Sequence, residues 1–442
     1  MTKKTKKQTK NYGCQQVLLH PDKDLRAVLE YLCGEANKVF NCSVYYARQV
    51  WFKENRFVKK GELCRPMKWN RHFNAMYASS VQQICNGVVE SFSSFRELLK
   101  LFWKGELANK PKPPNYRKPG LFTVSYPKKW LKLTGEGIKV PLGKKVKAGF
   151  GLEAFYIQMA SNLDWDSIKE IRILPRHGCF YTEFVYEMKT QSVKLDTGQA
   201  LSIDHGLDNW LTCVDTQGHS FIIDGKHLKS KNQWYNKQMA TLKENKPQGF
   251  WSKRLGEIAE KRNRQMRDAV NKTARLIIKH CLKHGIGTVV FGWNTGQKQS
   301  IELGTKTNQK FVQIPTARLK NRIEQLCLLY GLQFVETEES YTSKASFLDN
   351  DVLPIYGEKL GAGTRNLSPS KEAPSRRPDN WEPSGKRIKR GLYQSAAGYL
   401  INADCNGAAN ILRKVSGRLN LNLSQLTRGA LTTPLRVHFW TA

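Results

Sequence analysis

The sequence predicts an α+β protein of several domains, and three observations carry that expectation. The chain has 442 residues, more than a single hydrophobic core ordinarily serves. Apolar residues first recur at helical spacing, and after a proline-rich break they fall into short, turn-punctuated runs. From about residue 200 strand-like and helix-like segments alternate, as in a mixed sheet flanked by helices.

Residues 1–20 read as a basic arm, with Lys3, Lys4, Lys6, Lys7 and Lys10, followed by a first strand. Helices then fill 21–111. Leu25, Leu29, Leu32, Ala36 and Val39 lie on one face of the first, and Val81, Ile84, Val88, Phe92, Phe95, Leu99 and Phe102 on one face of the second. The aromatic members of that stripe are expected in a core. The run Lys110-Pro-Lys-Pro-Pro-Asn-Tyr-Arg-Lys118 breaks helix and reads as a boundary. Residues 112–195 carry short strands, including a hairpin of Ile168–Leu174 and Cys179–Met188 around Arg176-His-Gly178, and suggest a small antiparallel barrel or sandwich.

Residues 196–344 begin with a three-stranded meander, Leu201–Asp204, Leu211–Val214 and Phe221–Ile223. A helical region follows over Gln238–His284, broken near Pro247. Its apolar stripe is Met266, Ala269, Val270, Ala274, Ile277 and Cys281. The basic residues Lys253, Arg254, Lys261, Arg262, Arg264 and Arg267 read equally as a phosphate clamp or as a solvated helix face. Gly287–Phe291, a helix from Pro315 to the stop at Gly331, and Leu332–Thr337 then form a strand-helix-strand unit with parallel strands. Residues 345–390 lose periodicity and read as a flexible basic insertion; order returns over 391–415, and 416–442 is an uninformative tail.

The charge narrows the partners. Lys and Arg number 72 against 37 Asp and Glu, a net +35, which is the footprint of a protein that meets a polyanion. No apolar run reaches the roughly 18 residues that span a bilayer, so nucleic acid is favoured over membrane. Ten cysteines occur without a C-x-x-C pair, and Cys33, Cys281 and Cys327 sit in apolar patterns. Reduced core thiols and the lack of a signal-peptide pattern point to a cytosolic compartment.

Chemistry is expected from carboxylates. Asp204 ends a strand in LSIDHGLDNWLT, and Asp404 follows an apolar run and opens a helix in LINADCNGAANI. Glu338 and Glu339 end the last strand of the strand-helix-strand unit. Converging carboxylates repel one another unless a hard dication is bound, and an all-oxygen set suits magnesium or manganese. A pair of such ions supports in-line displacement at a phosphodiester. Taken singly, an Asp after a strand is most often a turn former or a helix cap.

The order of these acids, one on the first strand of a meander, one on the strand-helix-strand unit and one opening a final helix, is that of a ribonuclease-H-like core. The segments SIDHGLDNWLT, TVVFGWNTGQKQS, TEESYTSKASFLD, KRIKRGLYQS and NADCNGAANILRKV resemble the transposon-encoded TnpB family, relatives of the type V CRISPR effectors. The resemblance covers about 200–415. It implies a RuvC-type mixed-sheet nuclease core, a β-barrel wedge domain and a helical recognition domain. It also implies an RNA-guided DNA endonuclease whose partners are a guide RNA and a double-stranded DNA target. Asp204 then corresponds to the first catalytic acid and Asp404 to the last, while Asn406 and Asn410 support the loop and helix.

Two departures stand out. Where most of the family has a Glu after the fourth core strand, this chain has Gly292 and Trp293. Glu338 or Glu339 is the replacement the resemblance suggests. Strand parity lets only one of them face the site, and Glu339, nearer the strand mouth, is preferred beside Asp204 and Asp404 as metal ligand. The second departure is the absence of cysteines between Cys327 and Cys405, so no zinc is expected where relatives carry a knuckle. Arg376, Arg377, Lys386, Arg387, Lys389 and Arg390 of the insertion remain candidates for nucleic-acid contact. A nuclease-inactive RNA-guided DNA-binding repressor competes with the nuclease, and a basic RNA-binding protein explains the charge but not the ordered acids.

Overall fold

The computed structural model describes residues 11–191, 193–294, 313–354 and 381–440. The lysines of the first ten residues, and Arg376 and Arg377, lie outside the described residues. The chain divides into two compact units, residues 1–189 with 251–260, and residues 190–250 with 261–442.

The first unit opens with β1 (Asn11–Leu19) and α1 (Lys23–Glu54), which Asp22 caps by accepting the Leu25 N–H at 2.8 Å. The short α2 (Cys64–Met67) and the long α3 (Ala78–Trp103) follow. The faces that α1 and α3 bury, Leu29, Leu32, Ala36 and Val39 against Val81, Val88, Phe92 and Phe95, are those the helical spacing predicts. The proline run is strapped to α1: Asn37, Asn41 and Arg48 donate to the carbonyls of Lys118, Arg117 and Pro114, each at 3.0 Å. Both sides of that break lie in the first unit.

Beyond it come β2 (Val124–Pro127), β3 (Lys132–Thr134), β4 (Gly137–Pro141), α4 (Lys144–Phe150), β5 (Ala154–Ile157), β6 (Ile168–Arg176) and β7 (Cys179–Met188). They form two antiparallel sheets, β1-β7-β6-β2 and β3-β4-β5, around the same core as the helices. Among the described residues the two are separate sheets, with the strand orders given. The β6–β7 turn falls at His177 and Gly178, with φ of 49° and 79°. Two consecutive left-handed residues match the twist of a two-residue hairpin, as the Gly in that position foretells.

The second unit is built on a six-stranded sheet. β8 (Asp196–His205), β9 (Asn209–Asp215) and β10 (Ser220–Asp224) form the antiparallel meander. α5 (Lys226–Lys243) and α6 (Lys253–Lys283) follow, the first eight residues of α6 belonging to the other unit. Then come β11 (Ile286–Gly292), α7 (Thr316–Tyr330) and β12 (Gln333–Thr337). β11 pairs parallel with both β8 and β12, so the sheet is mixed. Gly331 ends α7 at φ 78°, where glycine is needed.

Two features depart from expectation. The order that returns over 391–415 begins earlier, inside the insertion: β13 (Lys386–Lys389), β14 (Leu392–Gln394) and β15 (Leu400–Asn402) make a separate three-stranded sheet. α8 (Ala403–Leu419) follows directly and carries Asp404 in its first turn, as the sequence predicts. The tail is also structured. After α9 (Arg428–Thr432), β16 (Leu435–Val437) pairs parallel with β10, and Phe439 packs 5.9 Å from the buried Trp210 ring.

Residue alternation decides which face of the sheet carries the acids. Leu201, Ile203, Val289 and Phe291 share a core with Ala274 and Ile277 of α6 and Leu319 and Ile323 of α7. Their neighbours Ala200 and Val290 share another with Ala408, Ile411 and Leu412 of α8. By parity Asp204 and Gly292 fall on the α8 face.

Candidate carboxylate centre

Asp204 sits one residue from the end of β8, paired across to Thr212. Its carboxyl is held well above the ordinary carboxylate pKa. Burial is the largest cause; the charges of Glu339 and Asp404 add to it, and the His205 backbone N–H and Arg387 oppose it. The helix α8 reaches Asp204 closely, since a Cβ at Gly407 would stand 2.8 Å from Asp204 Oδ2.

Asp404 lies in the first turn of α8. Asn402 caps that helix by accepting the N–H groups of Asp404 and Cys405 at 3.0 and 3.1 Å. The Asp404 carboxylate accepts Asn209 Nδ2 at 2.6 Å on one oxygen and Arg387 at 3.1 Å on the other. Asn209 follows the β8–β9 turn, so the meander positions one acid directly and steadies the second.

Glu339 enters from the loop after β12. β11 and β12 are in register at Gly292 and Thr337, and Trp293 N–H donates to Thr337 O at 2.8 Å. Asn294 Oδ1 accepts the Glu339 N–H at 3.0 Å, and His205 Nε2 lies 3.8 Å from the carboxylate. Glu339 Oε2 is 3.3 Å from where a Cβ at Gly292 would begin. The acid is therefore beside the position at which most of the resembled family carries its Glu.

Glu338 goes elsewhere. Its carboxylate pairs with Lys414 of α8 and accepts the Ser340 N–H at 3.0 Å. β12 stops at Thr337, so the two glutamates diverge through the loop rather than by the strand parity expected. Asn406 and Asn410 tie α8 to this loop. Asn406 accepts Phe347 N–H at 2.9 Å and donates to Ala345 O at 2.7 Å, while Asn410 donates to Thr342 O and Ala345 O, both at 2.8 Å.

The basic residues separate. Arg387 and Arg390 stand at the carboxylates, the first on Asp404 and the second paired with Asp208. Lys229 holds the other oxygen of Asp208 at 2.9 Å and was not foreseen. Arg262 is no solvated cation: its guanidinium binds Asn232 Oδ1 at 2.8 and 2.9 Å and Gln313 O at 3.1 Å. Arg264 and Arg267 are partly buried on the same helix, and Lys253, Arg254 and Lys261 are exposed. Among the described residues no helix is long and apolar enough to cross a membrane.

The donor set is all oxygen, partly buried and mutually repelling, a chemistry that suits a hard divalent cation. The OrfB_IS605 family model, described as a probable transposase, matches residues 183–297, about a quarter of the chain. The fold is that of Cas12f1 in the structure titled Cas12f1-sgRNA-target DNA complex, at TM-score 0.51 and 14% identity over 88% of this chain and 83% of that one. Both findings fit a TnpB-family protein. A CRISPR-Cas12f ternary complex aligns over 88% of this chain and 82% of its own at 13% identity, with a TM-score of 0.32. No curated protein sequence matches.

Proposed function

We propose that this chain is an RNA-guided DNA endonuclease of a transposable element, hydrolysing target phosphodiesters at one RuvC-type centre formed by Asp204, Glu339 and Asp404. The observation that carries the reading is the carboxylate of Glu339 beside Gly292, near enough to Asp204 for its charge to raise the Asp204 pKa. A carboxylate missing from one strand is supplied by its parallel neighbour. Two magnesium or manganese ions bound there would activate water and stabilise the leaving oxygen.

The chain's own residues have separate duties in this scheme. Asp204 and Asp404 are fixed on a central strand and a helix, which keeps ligands within a narrow geometry. Asn209 orients Asp404; Asn294 and His205 orient Glu339. Asn406 and Asn410 hold the loop against α8. Arg387 balances Asp404 when no cation is bound and, with Arg390, is suited to phosphate. Residues 21–111 and 112–195 serve as the helical recognition and wedge domains, and Lys253, Arg254, Lys261, Arg264 and Arg267 as backbone contacts. The partners are a guide RNA and double-stranded DNA.

A nuclease-inactive, RNA-guided repressor is the second reading, favoured by Gly292 and by the Arg387 bond on Asp404. The protein co-purified with its own RNA, assayed on a plasmid target library in magnesium or EDTA, separates the two. Magnesium-dependent cuts lost in Asp204→Ala and Glu339→Gln, but kept in Glu338→Gln, are expected. Specific binding without cuts supports the repressor, and cuts surviving in Glu339→Gln refute the displaced ligand.

A further inference from the structure

Strand β9 has two ends with different chemistry. Asn209 opens it beside Asp404, and Asp215 closes it beside three imidazoles. His219 comes from the turn between β9 and β10. His280 lies in the last turn of α6, and His284 stands four residues on, its N–H still donating to His280 O at 3.1 Å. That spacing places both rings on one side of the helix end. Ring centroids are 4.3 Å apart for His219 and His284, 4.5 Å for His280 and His284, and 5.8 Å for His219 and His280.

One nitrogen from each ring can be chosen so that all three lie within 4.8 Å of one another. Ligand nitrogens about 2.0–2.1 Å from a tetrahedral zinc stand roughly 3.3 Å apart, so modest ring rotation closes the set. Asp215 provides the support such a site needs. Its fully buried carboxylate meets His280 Nε2 at 2.8 Å and His219 Nδ1 at 3.0 Å, and it accepts the N–H groups of Gln217 and His219, both at 3.0 Å. A carboxylate on one nitrogen of an imidazole fixes the ring and raises the basicity of the other nitrogen, the usual outer partner of a metal-bound histidine.

We propose that His219, His280 and His284 form a binding site for one transition-metal dication of the zinc, nickel or copper class, with Asp215 orienting two of the three. Imidazole nitrogen selects these metals over magnesium, so the site differs in kind from the carboxylate centre. His219 is exposed, which leaves the fourth position to water. The bound ion would pin the β9–β10 turn to the end of α6. This cluster is scattered over the sequence and is unrelated to the cysteine position at which zinc was not expected.

The test is a cobalt(II) titration of the untagged, metal-stripped full chain, followed by visible absorption and by competition with zinc. The expected result is a single equivalent with the intense bands of a tetrahedral nitrogen site. His284→Ala, which leaves both Asp215–histidine bonds in place, removes the bands without changing the circular dichroism or the unfolding midpoint of the metal-free protein. Asp204→Asn keeps them. Absent bands at tens of micromolar cobalt, equal affinity in His284→Ala, or loss in Asp204→Asn each overturn the proposal. None of these readings depends on DNA cleavage, so the site stands or falls apart from the nuclease.

Discussion

Alanine at Gly407 puts a methyl group against the carboxylate centre from the helix side. The new Cβ would stand 2.8 Å from Asp204 Oδ2, where ordinary contact begins at 3.4 Å, so the carboxylate must retreat by the difference, 0.6 Å. A carboxylate can rotate away at little conformational cost, and Gly→Ala inside a helix is worth up to about 1 kcal/mol in favour of folding. Stability should therefore change little. Catalysis should not be spared, because misplacement by about 1 Å costs on the order of 100-fold, and a shift of this size roughly 10- to 50-fold, or about 1.4–2.3 kcal/mol of barrier. Single-turnover cleavage in magnesium, with manganese affinity and thermal unfolding alongside, reads the two effects separately. Gly417→Ala is the control: it lies in the same helix with nothing within 4 Å of its Cβ position, and should leave the rate unchanged. A Gly407→Ala protein that cleaves and binds manganese like the parent refutes the placement of Asp204 against α8.

Three further outcomes follow from the same contacts. Burial and the neighbouring acids raise the Asp204 pKa in the folded state. Its contribution to stability is thus complete below the unfolded pKa and is lost as pH rises through the folded one. Asp204→Asn should raise the melting temperature of the protein in EDTA at neutral pH, and a drop there would refute the buried-charge argument. Asn410→Ala removes the donor to Thr342 O, whereas Ala345 O keeps Asn406; leaving that buried carbonyl unpaired should cost about 1–3 kcal/mol in denaturant unfolding, and an unchanged midpoint would show that the loop is held by other contacts. Arg387→Ala removes a partly exposed guanidinium from Asp404; at about 0.2–1 kcal/mol for such a pair, manganese binding by calorimetry should tighten by up to fivefold, and weaker binding would show that Arg387 assists the cation.

What the sequence revealed follows from how local each signal is. Pro315 and Gly331 bracket α7 because a helix start and stop are decided by the residues at its ends. The β6–β7 hairpin is legible for the same reason. β16 was not, since its three residues include an exposed leucine and an arginine, and only the free edge of β10 makes them a strand. Arg262 misled because a charge pattern does not reveal that Asn232 and Gln313 wait for the guanidinium. The histidine cluster joins a turn to a helix end 61 residues away in sequence, and no spacing rule reaches that far.

The displaced glutamate lies between these cases. Position 292 at the end of β11 and Glu339 just past β12 are separated by nearly fifty residues in sequence, yet parallel pairing sets Gly292 beside Thr337. The strand ends at that register, and two residues beyond it the N–H of Glu339 is accepted by Asn294, itself two residues past Gly292. A side chain at position 292 would meet Ile411 at 2.6 Å and Glu339 at 3.3 Å, so a bulky residue there and the present position of Glu339 exclude each other. Gly292 is then more than a loss. On the proposed function it leaves room for the neighbouring acid, and placing a carboxylate there by Gly292→Glu while Glu339 remains should impair the centre rather than reinforce it, whereas Gly292→Glu combined with Glu339→Ala should recover part of the cleavage.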